Sequence, residues 1–311
     1  MAHLSGHGAR AVWTAFLATP TRLARQLGTT PRLCAKVVPK NLKGKGKPAQ
    51  DYLNWHLNDP YVRKSRYDNY RARSAYKLLE IDDKFALFHP GMTVIDCGAA
   101  PGSWTQVLVK RVNADGKTKG ARKGVVCPRG TVISLDVVPF EPVPDAICLS
   151  QLDILSNECN RKLEAMLSFD EASLVSSDDR VGKTSNAETT TEPPVADAPV
   201  TPQSRRFVDA VLSDMAPSAT GNRDIDHQNN VNLCYAALRL AIEHLDLGGV
   251  FLCKLWNGPC TQRLVDDLGK LFEQVNYAKP DASRGDSAEI YLLARNFKGV
   301  RRDQEKTKSE S

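Results

Sequence analysis

The chain lacks the patterns that most quickly place a protein in a class. No stretch reaches the roughly 18 uninterrupted apolar residues that a membrane-spanning helix needs, and the most apolar runs are of strand length. Its eight cysteines, at 34, 97, 127, 148, 159, 234, 253 and 260, include no C-x-x-C pair and no histidine at ligand spacing. That argues against a zinc site or a disulfide framework. His3 and His7 are spaced like helical ligands but have no carboxylate nearby, so they are given no metal role. Internal repeats are absent. Acidic residues are missing from the first fifty positions, which carry nine Lys or Arg, and the remainder holds 33 basic against 36 acidic residues, a net of −3. The overall +6 is therefore no nucleic-acid signature of the folded part, and any RNA affinity must come from a local patch.

What is there suffices for a globular protein: 311 residues with 41% hydrophobic content can build one large core or two small ones. In residues 1–50, Val12, Trp13, Phe16, Leu17 and Leu23 interleave with Arg10, Arg22 and Arg25. The segment reads as a mitochondrial transit peptide, or alternatively as a basic arm touching RNA phosphates. Asn41–Gln50, with Lys alternating with Gly, reads as a flexible linker. Residues 51–300 form the folded domain and 301–311 a charged tail. Two stretches, Asn113–Gly124 and the acidic, Ser/Thr/Pro-rich Asp170–Ser204, read as surface insertions.

The local patch follows the linker. Arg63, Lys64, Arg66, Arg71, Arg73 and Lys77 place six cations in fifteen residues against the single acid Asp68, with Tyr61, Tyr67, Tyr70 and Tyr76 interleaved. The tyrosines either stack on bases or pack beneath a solvated helix face. Beyond it, Thr93–Asp96, Thr131–Val137, Ala146–Leu149, Phe207–Ser213, Val250–Leu255 and Ile290–Ala294 read as strands alternating with helical patterns. This is the signature of an α/β domain with a largely parallel sheet. The clearest helix spans about 229 to 247, with apolar Val231, Cys234, Leu238, Ile242 and Leu245, and Gly248-Gly249 to stop it.

Val94 to Trp104 carries the most information. An apolar strand runs into Gly98-Ala99-Ala100-Pro101-Gly102, whose small residues let a ligand approach the backbone, and then into a helix start. The spacing breaks the G-x-G-x-x-G fingerprint, and no G-x-x-x-x-G-K-[ST] occurs, so a nicotinamide enzyme and a P-loop ATPase are disfavoured. S-adenosylmethionine asks for room beside the backbone, a carboxylate for its ribose diol and an apolar slot with one polar group for adenine. Asp136 and Asp153, at the ends of successive strands, are the candidates for the ribose and the adenine amino group.

Asp96-Cys97-Gly98-Ala99-Ala100-Pro101-Gly102-Ser103-Trp104 resembles the cofactor motif of the FtsJ family of ribose 2′-O-methyltransferases. Ordered blocks around Asp59-Pro60-Tyr61-Val62, Tyr70 to Glu80, Ser213 to Pro217, Asp226-His227, Phe251 to Lys254 and Ser283 to Tyr291 resemble it too. The departures are Cys97, where the family usually has an aliphatic residue, and Ser218, where Asn is common. The resemblance implies a Rossmann-like class I methyltransferase fold, a mostly parallel seven-stranded sheet with helices on both faces. It implies a catalytic tetrad of Lys77, Asp214, Lys254 and Glu289, and an S-adenosylmethionine site drawn from Asp96, Gly98, Pro101, Gly102, Ser103, Trp104, Asp136, Asp153 and Asp214. Lys254 is then either a neutral base or a charged stabiliser of the oxyanion. The implied substrate is large-subunit ribosomal RNA, free or within the pre-ribosomal large subunit, at a uridine of the A-loop in the mitochondrial matrix. Kept beside it are a tRNA methyltransferase, a cytoplasmic or nucleolar location, and a noncatalytic RNA-binding assembly factor.

Overall fold

The apolar run at Thr93–Cys97 is buried along its whole length, as a strand covered on both faces must be. It forms β1 in the computed structural model, which describes residues 46–118, 126–168, 208–285 and 287–299. Before it come α1 (Lys47–Asn58), α2 (Pro60–Tyr67) and α3 (Ala75–Phe85). After it come α4 (Ser103–Arg111), β2 (Thr131–Asp136), β3 (Ile147–Ser150), α5 (Asn157–Leu167) and β4 (Val208–Ser213). The chain closes with α6 (Arg223–His244), β5 (Leu245–Trp256), α7 (Thr261–Leu271), β6 (Phe272–Ala278) and β7 (Glu289–Phe297).

The seven strands form one sheet in the order β3-β2-β1-β4-β5-β7-β6. Neighbours from β3 to β5 pair in parallel, while β7 runs antiparallel to both β5 and β6. The chain winds outward from β1 through β2 to β3, then returns to β4 on the other side, so strand order reverses between β1 and β4. A crevice opens outside the carboxyl ends of strands at such a point.

Strand parity sorts the side chains into two cores. Ile95, Val211, Phe251, Cys253 and Leu292 face α5, α6 and α7, while Val94, Ala210, Leu212, Leu252 and Leu293 face α3 and α4. Helices thus cover both faces. Local signals set the helix starts. Asp59 caps α2 by accepting from Tyr61 N at 2.8 Å, with Pro60 next in line, and Asn222 Oδ1 caps α6 by accepting from Asp224 N at 3.1 Å.

Three boundaries differ from expectation. Lys47–Gln50, the end of the expected linker, is the first turn of α1, a place where proline's missing N–H costs no helical hydrogen bond. The long helix begins at Arg223 and stops at His244, so Gly248-Gly249 does not end it. Those glycines serve β5 instead: Gly248 has φ +83°, and the β4–β5 register breaks between Val208 and Ala210 opposite them. The first residues of the expected insertion at 113–124 form a packed turn. Buried Asn113 donates from Nδ2 to Cys127 O and Pro128 O and accepts from Thr118 N at 2.8 Å. The leader, the 170–204 insertion and the tail lie outside the described residues. The remaining strand, β6, leaves no clear signature in the sequence, because this edge strand lacks a clean alternation of apolar residues.

Phe251 is fully buried and stacks on Phe272 at 6.2 Å, and Phe272 meets Phe297 at 5.2 Å. Phe251→Ala is expected to destabilise the domain by about 3–5 kcal/mol, read as a lowered urea midpoint at unchanged slope.

Candidate active site

The parity that builds the cores also gathers the four predicted catalytic residues. Lys254 lies two residues beyond Leu252 on β5, and Asp214 two beyond Leu212 just past β4, so both keep the α3 face. Asp214 N donates to Cys97 O at 3.2 Å and extends the ladder one residue past β4. On the other side of β5, Lys254 pairs with Tyr291 and Trp256 with Glu289, which puts Glu289 and Tyr291 on that same face. Lys77 arrives from α3, which packs over it.

Two ion pairs result. Lys254 Nζ stands 3.1 Å from Asp214 Oδ1 and also donates to the main-chain oxygen of Asp214. Lys77 Nζ lies 2.6 and 2.8 Å from the two oxygens of Glu289. Lys254 and Glu289 are buried. Burial opposes ionisation of Glu289, but the charge and hydrogen bond of Lys77, with Ser283 Oγ donating at 2.7 Å and Lys254 nearby, outweigh it and hold the carboxyl below its ordinary value.

Sequence reasoning gave no role to Tyr291, which links the pairs. Its hydroxyl donates to Asp214 Oδ1 at 2.9 Å, and its ring lies 6.0 Å from Lys77 Nζ. Burial, then the negative charges of Asp214 and Glu289, push the phenol well above its usual value, so it stays a donor. Its position two residues after Glu289 on one strand was the available signal. Ser283 left none beyond its block.

The tetrad stands between two cavities. One, of about 440 Å³, opens at the carboxyl ends of β1, β2, β3 and β4 and takes in Gly98, Asp136, Asp153, Asp214 and Lys254, with Met215, Leu152 and Leu233 as apolar wall. Val137, Val138 and Leu155 line it while more than half exposed. Gly98 has φ +76°, and a Cβ there would come within 2.5 Å of Met215 Cγ. Asp136 accepts from Ala100 N and Val138 N, both at 2.8 Å, which leaves about two of a carboxylate's four lone-pair sites. The other cavity, of about 270 Å³, is lined by Arg73, Ser74, Lys77, Arg284, Ser287 and Glu289.

The family pattern described as FtsJ-like methyltransferase matches residues 70–297. The chain belongs to that family. It is 42% identical over 266 residues to the mitochondrial rRNA methyltransferase 2 of Drosophila melanogaster, covering 86% of this chain and 90% of that protein. It is 38% identical over 272 residues to the ribosomal RNA large subunit methyltransferase E of Parvibaculum lavamentivorans, covering 88% and 91%. The crystal structure of a Plasmodium falciparum protein described as a ribosomal RNA methyltransferase matches with a TM-score of 0.53 at 24% identity, covering 74% of this chain and all of that one. This last likeness concerns the fold.

In this FtsJ-like methyltransferase, five residues expected at the cofactor do not line the larger cavity: Asp96, Pro101, Gly102, Ser103 and Trp104. Asp96 stays inside β1, and the helix start turns Gly102, Ser103 and Trp104 toward the segment that opens α3. Ser103 Oγ meets Ser74 Oγ at 2.7 Å, Trp104 Nε1 donates to Ser74 O at 2.9 Å, and the indole packs on Tyr291. Gly102 lies against Arg71, whose Nη1 a Cβ would meet at 2.7 Å, and Pro101 is exposed, its carbonyl accepting from the same guanidinium at 2.9 Å. These residues brace the tetrad and the loop.

The basic patch is mostly spent inside the fold. Arg71 also donates to Glu141 O and Pro142 O, tying the β1 loop to the β2 loop. Arg73 bonds Asp59 and Ala282 O, Arg63 bonds Asn58, and Lys77 bonds Glu289. Tyr61 and Tyr76 pack together at 5.5 Å with their hydroxyls on Glu80 and Asp68. Lys64, Arg66 and Tyr67 remain exposed. Among the described residues, no group of His, Cys, Asp or Glu is placed to hold a metal.

Asp96 is fully buried on the α4 side. Thr105 Oγ1 donates to its Oδ2 at 2.8 Å, and its Oδ1 has no partner. Burial above all, with Asp214 and Asp136 adding negative charge, pushes its carboxyl up to about 7 from 3.8. The folded chain therefore keeps this proton where the unfolded chain has lost it, so stability falls as pH rises from 3.8 to about 7 and levels off above. Asp96→Asn, a neutral isostere, is expected to flatten that stretch of the urea-midpoint profile. An unchanged slope would clear Asp96 as its source.

Proposed function

We propose that this methyltransferase transfers the methyl group of S-adenosylmethionine to a ribose 2′-hydroxyl of large-subunit ribosomal RNA, at a uridine of the A-loop, in mitochondria. The observation that carries the reading is the division of the tetrad: Asp214 and Lys254 border the larger cavity, and Lys77 and Glu289 the smaller. A donor and an acceptor placed in the two cavities meet at the ion pairs.

The larger cavity fits the proposed cofactor by the chemistry of its walls. Asp136 keeps lone pairs for a ribose diol, Asp153 offers a carboxylate to the adenine amino group, and the half-exposed Val137, Val138 and Leu155 supply apolar surface for the base. When bound, S-adenosylmethionine supplies a methyl carbon already activated by a positively charged sulfur.

The residues then have separable tasks. Lys77 and Glu289 orient the ribose, and their mutual charge keeps both from drifting. Having released to water the proton it carries in the ion pair, Lys254 Nζ takes the proton of the 2′-hydroxyl on its lone pair as that oxygen attacks. Two of its positions are used on Asp214 Oδ1 and Asp214 O, which leaves one for the incoming hydroxyl. Asp214 stabilises the ammonium as it forms, an attraction greatest in the transition state. Tyr291 holds Asp214 in place for that purpose.

The substrate assignment rests on likeness over nearly full length to proteins whose names specify rRNA and the large subunit. The acid-free leader and the mitochondrial name of the Drosophila relative support the compartment. The experiment is transfer of labelled methyl to large-subunit rRNA followed by mapping of the modified nucleotide. RNA binding without transfer would favour an assembly factor, and label in tRNA would overturn the substrate.

Lys254→Ala is expected to lower transfer by at least about 10²-fold while S-adenosylhomocysteine still binds by calorimetry. Loss of binding in a folded variant would move Lys254 to the cofactor.

A further inference from the structure

The Asp226-His227 pair lines neither cavity and is no part of the tetrad, yet both residues are buried and engaged. Asp226 Oδ1 accepts from Thr220 N and from Thr220 Oγ1, each at 2.7 Å, and Oδ2 accepts from Gly221 N at 3.2 Å. Thr220 and Gly221 close the loop that leaves β4 through Asp214. The next side chain turns to a different loop. His227 Nε2 accepts from Cys260 N at 2.9 Å, and Nδ1 donates to Trp256 O at 2.8 Å. Farther along α6, Asn230 Oδ1 accepts from Trp256 N at 2.7 Å and Cys234 Sγ donates to Lys254 O at 3.2 Å. The fit is close: a Cβ on Gly258 would stand 2.7 Å from His227 Cγ.

The need for these contacts follows from the sheet. β4 pairs with β5 only as far as Ser213 and Cys253. Beyond that register β4's chain departs as the Asp214 loop, and the main-chain groups of Lys254 and Trp256 on that edge lose their strand partner. Buried N–H and C=O groups must be satisfied, and side chains of α6 do it.

We infer that His227 and Asn230 stand in for the missing strand along the end of β5 while Asp226 holds the loop that leaves β4, so that the three are positioning residues that together fix Lys254 against Asp214. The inference rests on the reading of Lys254 as the proton acceptor. Displacement of a reacting group by about 1 Å can cost on the order of 100-fold in rate, so loosening this hold should appear in turnover.

The test compares wild type, Asp226→Ala, His227→Ala and His227→Gln in methyl transfer to large-subunit rRNA, with S-adenosylhomocysteine affinity and folded fraction measured alongside. Both alanine variants are expected to lose about 10- to 100-fold in kcat, with KM for RNA and Kd for S-adenosylhomocysteine within about twofold. His227→Gln should recover most of the loss, since its amide offers both an acceptor and a donor. If His227→Ala does not fold, Asp226→Ala at the start of the helix carries the test. Normal kcat in a folded alanine variant, or a fall shared by KM and Kd, overturns the inference. A wild-type chain that transfers no methyl group would sink the catalytic reading instead. In that case the Lys254 Nζ resonance of lysine-labelled protein decides: a shift or broadening in Asp226→Ala supports the hold, and an unchanged signal refutes it.

Discussion

The ion pair between Lys254 and Asp214 is the contact on which the rest of the site depends. It joins the ends of two adjacent parallel strands, β5 and β4, at 3.1 Å. Two charges this close, taken largely out of water, need further hydrogen bonds to be tolerable. Tyr291 supplies one to Asp214, and the Asp214 carbonyl supplies one to Lys254. The pair is thus held by the sheet's own register together with a phenol from β7, and a shift of either strand by one residue would move one partner to the opposite face.

The surrounding structure reads as a set of braces for that contact. On one side Arg71 ties the β1 and β2 loops together through three main-chain carbonyls. Beneath, Trp104 and Ser103 link α4 to the start of α3, which carries Lys77. On the far side α6 takes over where β4 ends. A guanidinium suits the first task because its fork of five donors can serve several acceptors at once. Positive charge that seems available for RNA is therefore largely committed to architecture, and the cations left exposed near α2 are Lys64 and Arg66.

Much of this was legible in the linear order of residues. The strands β1, β2, β3, β4, β5 and β7 announced themselves as short runs of apolar residues, and for the inner ones the reason is that a strand covered on both faces must be apolar almost throughout. The tetrad was legible only through resemblance, since Lys77, Asp214, Lys254 and Glu289 taken singly look like ordinary charged residues. Asp136 and Asp153 were found by their place at strand ends, and both lie in the larger cavity. Of the motif expected at the cofactor, Gly98 lines the larger cavity while Gly102, Ser103 and Trp104 are packed against the segment that opens α3, because a small-residue turn does not reveal which side the following helix will take. Tyr291 went unassigned because its partner Asp214 is 77 positions away.

By itself, then, the sequence determined the class of fold, the alternation of strand and helix, and which residue types were available at each strand end, since these follow from local periodicity and turn chemistry. The tertiary structure alone decided which cations remain exposed, which face each strand-end residue takes, and that the two ion pairs border two different cavities. Those outcomes depend on pairing register and on contacts across as many as 212 positions, as between Lys77 and Glu289, and no local pattern encodes separations of that kind.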